Sequence, residues 1–262
     1  MSFQNRSSWR IVKSVLFALV LREMRMRISG RRFGAFWTLF EPMLQILIFL
    51  LIFSFRNVSA SNVEYPAYLV SGMLPFFMMR NIITKGMAAV DANRALFAYK
   101  QIKPLDTVVA RCIVEVAIYL CLYMLFMVVM YIWFDLDLFM SDPIRWIGVM
   151  VIGVLFSFSI GLLFCMLIEI VPEFSAVAGI LLMFIYFISG AMFPIWMFPD
   201  EILSALLWNP FVHIIDELRL ATFSYYPEHV GVNIYYPLKL TVVLLFLSLG
   251  LYRVRRLKLV AV

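Results

Sequence analysis

One short segment of the chain carries three side chains that could bind a metal. His213, Asp216 and Glu217 stand at spacing i, i+3 and i+4, so a helix would place all three on one face. The H-E-x-x-H spacing of zinc enzymes is absent, however, and the only other histidine is His229. A polar helix face at the membrane surface, with Asp216 or Glu217 pairing with Arg219, is the simpler interpretation. We therefore predict no metal site in this segment.

Several charged residues stand inside apolar stretches of the sequence. Arg111 and Glu115 are four residues apart, so we predict a structural ion pair on one face of a helix. Arg80 and Lys85 have no acidic residue near them in the sequence. Either they reach the lipid headgroups with their long side chains, or they face water or a bound partner.

The composition shows which kind of element must position these residues. The chain of 262 residues is 64% hydrophobic and 15% charged, and its mean hydropathy is +0.95. Soluble domains are about half apolar and about a quarter charged, so this protein is embedded in lipid. The three cysteines, Cys112, Cys121 and Cys165, lie within apolar runs and form no C-x-x-C pair, which indicates packing roles.

The fold class predicted from the apolar runs is an all-α integral membrane protein with six transmembrane helices. A helix needs about 20 apolar residues to cross the hydrocarbon. The predicted spans are residues 34–55, 65–87, 107–134, 146–168, 174–198 and 236–252.

Two segments outside these spans have helical patterns of their own. Residues 9–27 form a basic amphipathic stretch too short to span, and we predict a helix lying in the cytoplasmic interface. Residues 1–32 are thus one unit, and residues 33–262 form the transmembrane domain. Between the last two spans, Asn209 and Pro210 form a helix start, and we predict short re-entrant helices that dip into the membrane from outside.

The positions of Lys and Arg predict the direction of the helices. Fifteen such residues stand before the first span, in the connection after the second span and at the C-terminus. The connections 57–64, 135–143 and 199–235 contain only Arg219. Since cytoplasmic loops carry the excess of positive charge, we predict that both termini are cytoplasmic. The formal net charge of +6 therefore indicates membrane orientation and not nucleic acid binding.

The second connection, residues 88–106, is typical of a segment that docks on a partner. It contains the polar residues Asp91, Asn93 and Arg94 and the aromatic residues Phe97 and Tyr99. We predict that Asp91 or Asn93 caps a short helix, and that Phe97 is an exposed anchor covered by a partner protein. An ordinary cytoplasmic loop is the alternative. The inner turn at residues 170–173, with Glu173, is a second candidate contact.

Motifs for chemical work are missing from the whole sequence. The phosphate-binding loop G-x-x-x-x-G-K-[ST] does not occur, and neither does the nucleophile motif G-x-S-x-G. Both histidines fall outside the predicted spans, so a proton relay through the membrane has little support. Any energy must then come from a partner.

The ordered set of short motifs resembles a known family. The segments are LREMRMR (21–27), GAFWTLFEP (34–42), LVSGMLPFF (69–77), AVDANRALFAYKQIKPLDTVVAR (89–111), VPEF (171–174), SGAMFP (189–194) and WNPFVHIIDELR (208–219). In this order they resemble the permeases of type-2 ABC exporters, and most closely the KpsM-like permeases of capsular polysaccharide export in Gram-negative bacteria.

This resemblance implies a set of partners. The permease would be a homodimer in the inner membrane, docked on two ATPase subunits that bind ATP and magnesium, with no cofactor in this chain. It would move a lipid-linked acidic polysaccharide towards a periplasmic co-polymerase-type protein. Residues 88–106 and Glu173 would couple the permease to the ATPase, and the helix at 9–27 would also rest on it.

The resemblance also gives the unpaired charges a possible role on the substrate path. Arg80 would line the path near its entrance, and Lys85 would add attraction for an acidic polymer at the mouth. Glu41, which stands before Pro42, is a further candidate. Tyr68 and Trp37 are candidates for stacking on sugar rings.

Two alternatives remain open on sequence grounds. The same exporter fold carries other cargo, such as O-antigen, teichoic acid or a drug. A membrane transferase acting on a lipid-linked sugar is a different class of protein. It would need an acidic cluster or a histidine at the end of a span, and only the pairs 200–201 and 216–217 offer acids outside.

Overall fold

A computed structural model describes residues 8–29, 34–54, 63–195 and 198–260 of the chain. Over these residues it contains nine α-helices, one 3₁₀ helix and no β-strand. The α-helices are α1 (Ser8–Ser29), α2 (Gly34–Ser54), α3 (Tyr65–Met87), α4 (Pro104–Phe134), α5 (Pro143–Ile168), α6 (Phe174–Phe187), α7 (Asp200–Leu206), α8 (Pro210–Thr222) and α9 (Tyr235–Val260). The 3₁₀ helix, Asp91–Ala98, lies between α3 and α4.

Some sequence predictions fall outside the described residues. They are the predicted boundary between residues 32 and 33, most of the connection 57–64 that is predicted to be external, and Arg6, Arg31 and Arg32, which are predicted to be cytoplasmic. The helix predicted at residues 9–27 is present as α1, and its place in the cytoplasmic interface stays a prediction.

Proline and a short polar side chain set the start of two helices. Pro143 and Pro210 occupy the first turn of α5 and α8, where the missing N–H is not needed. The side chains of Asp142 and Asn209 each accept a hydrogen bond of 3.0 Å from a free backbone N–H of that turn. The helix start predicted at residues 209–210 is therefore confirmed.

Helix α3 is the centre of the bundle. It packs mainly against α4, α5 and α8, and most of its side chains are buried. A strip of small residues lets α5 come close: a Cβ atom added at Gly161 would lie 3.2 Å from the carbonyl oxygen of Ile82. Gly153 and Ser157 precede Gly161 at intervals of four residues, which is the small-residue spacing typical of close helix pairs in membranes.

The outer faces of the bundle are apolar. Trp133 on α4, Phe184 on α6 and Phe246 on α9 are all exposed, against the pattern of a soluble protein. Three helices are long and apolar enough to cross a membrane, namely Pro104–Phe134, Pro143–Ile168 and Tyr235–Arg256, and Phe40–Ile52 and Phe174–Phe187 are shorter apolar helices. The all-helical membrane class is therefore confirmed, and the count of six spans stays a prediction.

The end of the fifth predicted span differs from expectation. Helix α6 ends at Phe187, whereas the predicted span continued to residue 198. Gly190 adopts a positive φ of 72°, a conformation that glycine reaches at little cost and that turns the chain away from the helix axis. The carbonyl groups freed by this turn are bonded by side chains of α3 and α8, as described below.

Candidate functional site

Two acidic and two basic residues form a cluster between α1 and α4. Arg27 of α1 pairs with Glu115 of α4, and Glu23 of α1 lies 3.4 Å from Nε of Arg111 of α4. The predicted pair between Arg111 and Glu115 along one helix is therefore wrong: each residue pairs with the oppositely charged residue on α1. The side chain of Glu115 is 1% exposed, so the α1 partner shields a carboxylate that would otherwise be costly to bury.

The same cluster reaches the neighbouring elements. Nη1 of Arg111 donates a hydrogen bond of 2.9 Å to the carbonyl of Lys85, near the end of α3. Nη1 of Arg22 donates one of 2.6 Å to Oδ1 of Asn93 in the 3₁₀ helix. Four elements thus meet at this end of the bundle.

The 3₁₀ helix is built differently from the prediction. Neither Asp91 nor Asn93 caps it, since the cap position is Val90 and no side chain bonds there. Asp91 pairs instead with Arg94 at 2.9 Å. The amide of Asn93 donates to the carbonyl of Ala89 at 2.8 Å and is buried.

Phe97 is not the exposed anchor that the sequence predicted. It is 3% exposed and belongs to a small apolar cluster with Val90, Val108, Leu162 and Leu259, together with other residues of α5. An amphipathic pattern cannot tell whether an aromatic side chain is covered by its own chain or by a partner, and here its own chain covers it. Tyr99, which is 66% exposed, is the aromatic side chain that remains available on this surface.

The inner turn between α5 and α6 is tied to the 3₁₀ helix. Nη2 of Arg94 lies 2.8 Å from a carboxylate oxygen of Glu169, and this carboxylate raises the pKa of Arg94 above its ordinary value. Glu173 lies at the exposed end of the same turn, beside the exposed side chains of Ile170 and Val171. The structure therefore brings the two predicted contact segments together into one surface at this end of the bundle.

The predicted path residues are spread over α2 and α3. Arg80 is half-buried, with its guanidinium carbon 5.4 Å from the centre of the Phe77 ring. Among the described residues, no carboxylate lies within ion-pair distance of Arg80. Lys85 and Glu41 are exposed. Trp37 is half-exposed and packs edge-on against Phe36 and Phe40.

Tyr68 cannot line a path in this arrangement. It is fully buried, and the guanidinium carbon of Arg219 lies 3.5 Å from the centre of its ring. Nη1 of Arg219 donates to the Tyr68 hydroxyl at 2.7 Å. The ring face predicted to stack on a sugar is therefore taken by an arginine, as a cation–π contact.

Arg219 is the main site residue that sequence reasoning missed. Its guanidinium donates hydrogen bonds to the carbonyl of Gly190 at 2.8 Å and to that of Ala191 at 2.9 Å, just beyond α6. It also donates to the backbone carbonyl of Tyr68 at 3.2 Å. A signal was present, because Arg219 follows Phe211 and Ile215 at intervals of four and so belongs to the apolar face of α8. A single arginine on an apolar helix face indicates that its guanidinium is buried and bonded to polar groups of the same protein.

The acidic residues of α8 are also buried, so the predicted polar face at the membrane surface is wrong. Asp216 accepts hydrogen bonds from the Tyr226 hydroxyl at 2.6 Å and lies 3.0 Å from Nδ1 of His229. Glu217 pairs with Arg145 of α5 at 2.8 Å. Burial is the main reason why the pKa of the Tyr226 hydroxyl lies above its ordinary value. Arg219 lowers this pKa and Asp216 raises it further, and the hydroxyl stays a neutral hydrogen-bond donor.

His213 is held by backbone groups. Its Nδ1 accepts the N–H of Asn233 at 2.9 Å, so the other nitrogen, Nε2, carries the proton and donates to the carbonyl of Leu207 at 2.8 Å. Over the part of the chain that the structure describes, no group of three His, Cys, Asp or Glu side chains could hold a metal ion. His213, Asp216 and Glu217 are used to fix α8 to its neighbours.

The ion pairs between α1 and α4 and the buried charges of α8 thus hold the two ends of a helical membrane protein. Comparison with known proteins gives its class. The family model for the ABC-2 type transporter matches residues 14–223. This match covers most of the chain, and the chain belongs to that family.

Individual relatives of the chain are named for the transport of polysaccharides. The chain is 35% identical over 254 residues to the polysialic acid transport protein KpsM of Escherichia coli, covering 95% of this chain and 96% of KpsM. It is 29% identical over 222 residues to the capsule polysaccharide export inner-membrane protein BexB of Haemophilus influenzae, covering 84% and 83%. It is 27% identical over 247 residues to CtrC of Neisseria meningitidis, of the same description, covering 92% and 90%.

Proposed function

We propose that this chain is the membrane-spanning permease subunit of an ATP-driven exporter that moves a lipid-linked acidic capsular polysaccharide across the bacterial inner membrane. The observation that carries the proposal is the identity of 35% to KpsM along 95% of this chain. The other relatives are named for capsule polysaccharide export, and they too are matched along most of their length. The ABC-2 family match supports the same class of transporter.

The proposed topology has six spans and two cytoplasmic termini. Helices α4, α5 and α9 are long and apolar enough for three of the spans, and α2, α3 and α6 would supply the others. Fusions of a reporter after Asp137 and Glu228 should report the periplasm, and fusions after Lys100 and Lys258 the cytoplasm. A cytoplasmic signal at Glu228 would contradict six spans.

The partner that supplies energy would dock on the cytoplasmic surface of the 3₁₀ helix and the inner turn. ATP and magnesium would bind to two separate ATPase subunits, because this sequence has no phosphate-binding loop. The exposed ring of Tyr99 and the exposed Glu173 are the contacts we propose, joined through the pair Arg94–Glu169. Interface anchors are typically aromatic side chains, which supports Tyr99 in this role.

The acidic cargo would meet Arg80 near the cytoplasmic entrance. An unpaired arginine in hydrocarbon costs about 2.5–3.5 kcal/mol on insertion scales, so a counter-charge from the cargo would lower that cost. The exposed Lys85 would add attraction at the mouth, and Glu41 and Trp37 would flank the same entrance from α2. Guanidinium suits carboxylate and phosphate groups because it binds them with two parallel hydrogen bonds.

The assembly we propose contains two copies of this chain, two ATPase subunits and a periplasmic co-polymerase-type protein, within membrane lipids. The exposed apolar faces of α2 and α6 are available for the second copy or for lipid. The chain itself would have no ATPase activity. No nucleic acid takes part.

Export in cells tests the charge on the path. The variant Arg80→Gln should lose export of polysaccharide, and Arg80→Lys should keep part of it, with expression and ATPase binding measured for both. Lys239→Gln is the matched control, because Lys239 is an exposed cation within another apolar helix. Wild-type export from Arg80→Gln would show that Arg80 only anchors α3.

Deletion of the gene tests the function itself. Cells without this chain should accumulate lipid-linked polysaccharide in the cytoplasm and lack it at the surface, and the wild-type gene should restore surface polysaccharide. Normal surface polysaccharide in the deletion strain would refute the proposed function.

A further inference from the structure

The charges of α1 are divided between two faces of the helix. Arg10, Lys13 and Arg25 are exposed, as expected of a helix that lies on anionic headgroups. Glu23 is buried, and Arg27 is largely so, and both are aimed at α4. A helix that only anchors the chain to lipid would have no use for charges turned into the protein.

The buried cluster is balanced in charge. Glu23 and Arg27 stand on α1, and Arg111 and Glu115 stand opposite them on α4, so positive and negative charges alternate across the contact. Removing one member leaves an uncompensated charge in a buried place, which is far more costly than removing an exposed pair. The charge pairs therefore favour the observed position of α1 against α4.

That position carries Arg22 to the 3₁₀ helix. The hydrogen bond from Arg22 to the buried Asn93 holds one side of the 3₁₀ helix, and the pair Arg94–Glu169 holds the other. Beneath it, Phe97 packs against α5 and against Leu259 at the end of α9. Side chains of α1, α5 and α9 thus contact the 3₁₀ helix and fix its position.

We propose that Glu23, Arg27, Arg111 and Glu115 are positioning residues for energy coupling: they lock α1 on α4 so that Arg22 holds the 3₁₀ helix, and α1 and the 3₁₀ helix move as one body. This inference rests on the proposed function, in which the ATPase docks on the 3₁₀ helix. In this proposal α1 moves with the 3₁₀ helix during coupling, and it does not only anchor the chain to the membrane.

Exchanging the charges of the pair Arg27–Glu115 tests whether the ion pairs hold α1 against α4. Glu115→Arg and Arg27→Glu should each lower substrate-stimulated ATPase turnover roughly tenfold or more, the factor that corresponds to one lost charge-assisted hydrogen bond. The double variant should recover to within a few fold of wild type. Lys239→Glu is the control, because Lys239 is exposed near the start of α9, away from the 3₁₀ helix, and it should leave substrate-stimulated turnover unchanged. No recovery in a double variant that folds and binds the ATPase would overturn the lock.

A cross-link tests whether the two elements move together. In a background in which Cys112, Cys121 and Cys165 are replaced by alanine, Arg22→Cys and Asn93→Cys should reduce coupling, because the hydrogen bond between them is lost. Joining the two cysteines with a short bifunctional thiol reagent should restore substrate-stimulated turnover, and thiol reduction should remove it again. Melting temperature before and after cross-linking separates this effect from simple stabilisation.

The same cross-link can also contradict the proposal. If the complex of the cross-linked chain with its ATPase subunit keeps basal ATPase turnover but is blocked in export until the cross-link is reduced, α1 and the 3₁₀ helix must separate during the cycle and the proposal is wrong. Failure of the proposed function is distinguishable from this, because wild-type protein would then show neither binding of the ATPase nor export.

Discussion

Gly72 on α3 offers a direct way to disturb the buried Arg219 without removing its charge. A Cβ atom added at Gly72 would overlap Nη2 of Arg219 and would lie 2.8 Å from the carbonyl oxygen of Ala191. In Gly72→Ala the guanidinium must therefore move, and the hydrogen bonds from Nη2 to the carbonyls of Ala191 and Tyr68 must break or lengthen.

The magnitude follows from those two hydrogen bonds. Each hydrogen bond to a charged group is worth about 1.5–3 kcal/mol, so two give about 3–6 kcal/mol. Alanine gains up to about 1 kcal/mol over glycine in a helix, which leaves a net loss of about 2–5 kcal/mol. At roughly 2–4 °C per kcal/mol for a chain of this size, the melting temperature should fall on the order of 10 °C.

The assay is the thermal unfolding of detergent-purified protein, followed by gel filtration with a fluorescent tag. Gly148→Ala is a matched control, since a Cβ atom added at Gly148 of α5 would meet no atom within 4 Å. The control should melt at or slightly above the wild-type temperature. Equal melting of Gly72→Ala and Gly148→Ala would refute the role assigned to Arg219.

Three further predictions concern packing. Phe97→Ala should destabilise the protein by up to about 3–5 kcal/mol, whereas Tyr99→Ala should keep the melting temperature and weaken ATPase binding, measured by co-purification. Leu259→Ala should lower the free energy of unfolding by about 2–5 kcal/mol and the melting temperature with it, because Leu259 is buried. Val254→Ala is the control and should leave the melting temperature unchanged, because Val254 is exposed. Gly161→Ala should cost about 1–3 kcal/mol, because its Cβ would crowd the backbone of α3 at 3.2 Å, and the melting temperature should fall accordingly.

Much of the fold was accessible from the sequence. Long apolar runs predicted α4 and α5 within a few residues, since the hydrocarbon leaves the chain little choice but a helix. They predicted the start of α9 as well, but this helix continues to Val260, beyond the predicted end at residue 252. The start of α8 followed from Asn209 and Pro210, whose capping chemistry is local. Features set by neighbouring residues in the chain were the ones that sequence reasoning recovered.

The partners of the buried charges were not accessible in the same way. The spacing of four residues between Arg111 and Glu115 predicts a pair within α4. The partner of the Glu115 carboxylate is instead Arg27 of α1, 88 residues away in the chain. The early end of α6 also depends on distant groups, because Arg219 of α8 bonds the carbonyls that the turn at Gly190 exposes. Pairings over such separations depend on packing between helices, which local spacing does not encode.

The two aromatic residues assigned to external roles show the same limit. Tyr68 and Phe97 were expected to face a cargo and a partner, and both are covered by this chain itself. Sequence gives the size of an aromatic surface but not the element that buries it.

The most direct test of the central claim is transport in vesicles that contain purified components. This chain and its ATPase subunit, reconstituted together with a lipid-linked acidic polysaccharide, should move the polymer across the bilayer only when ATP and magnesium are present on the ATPase side. The chain alone should hydrolyse no ATP and move no polymer. Polymer movement without the ATPase subunit, or none from the complete system with an ATPase that binds and hydrolyses ATP, would contradict the account.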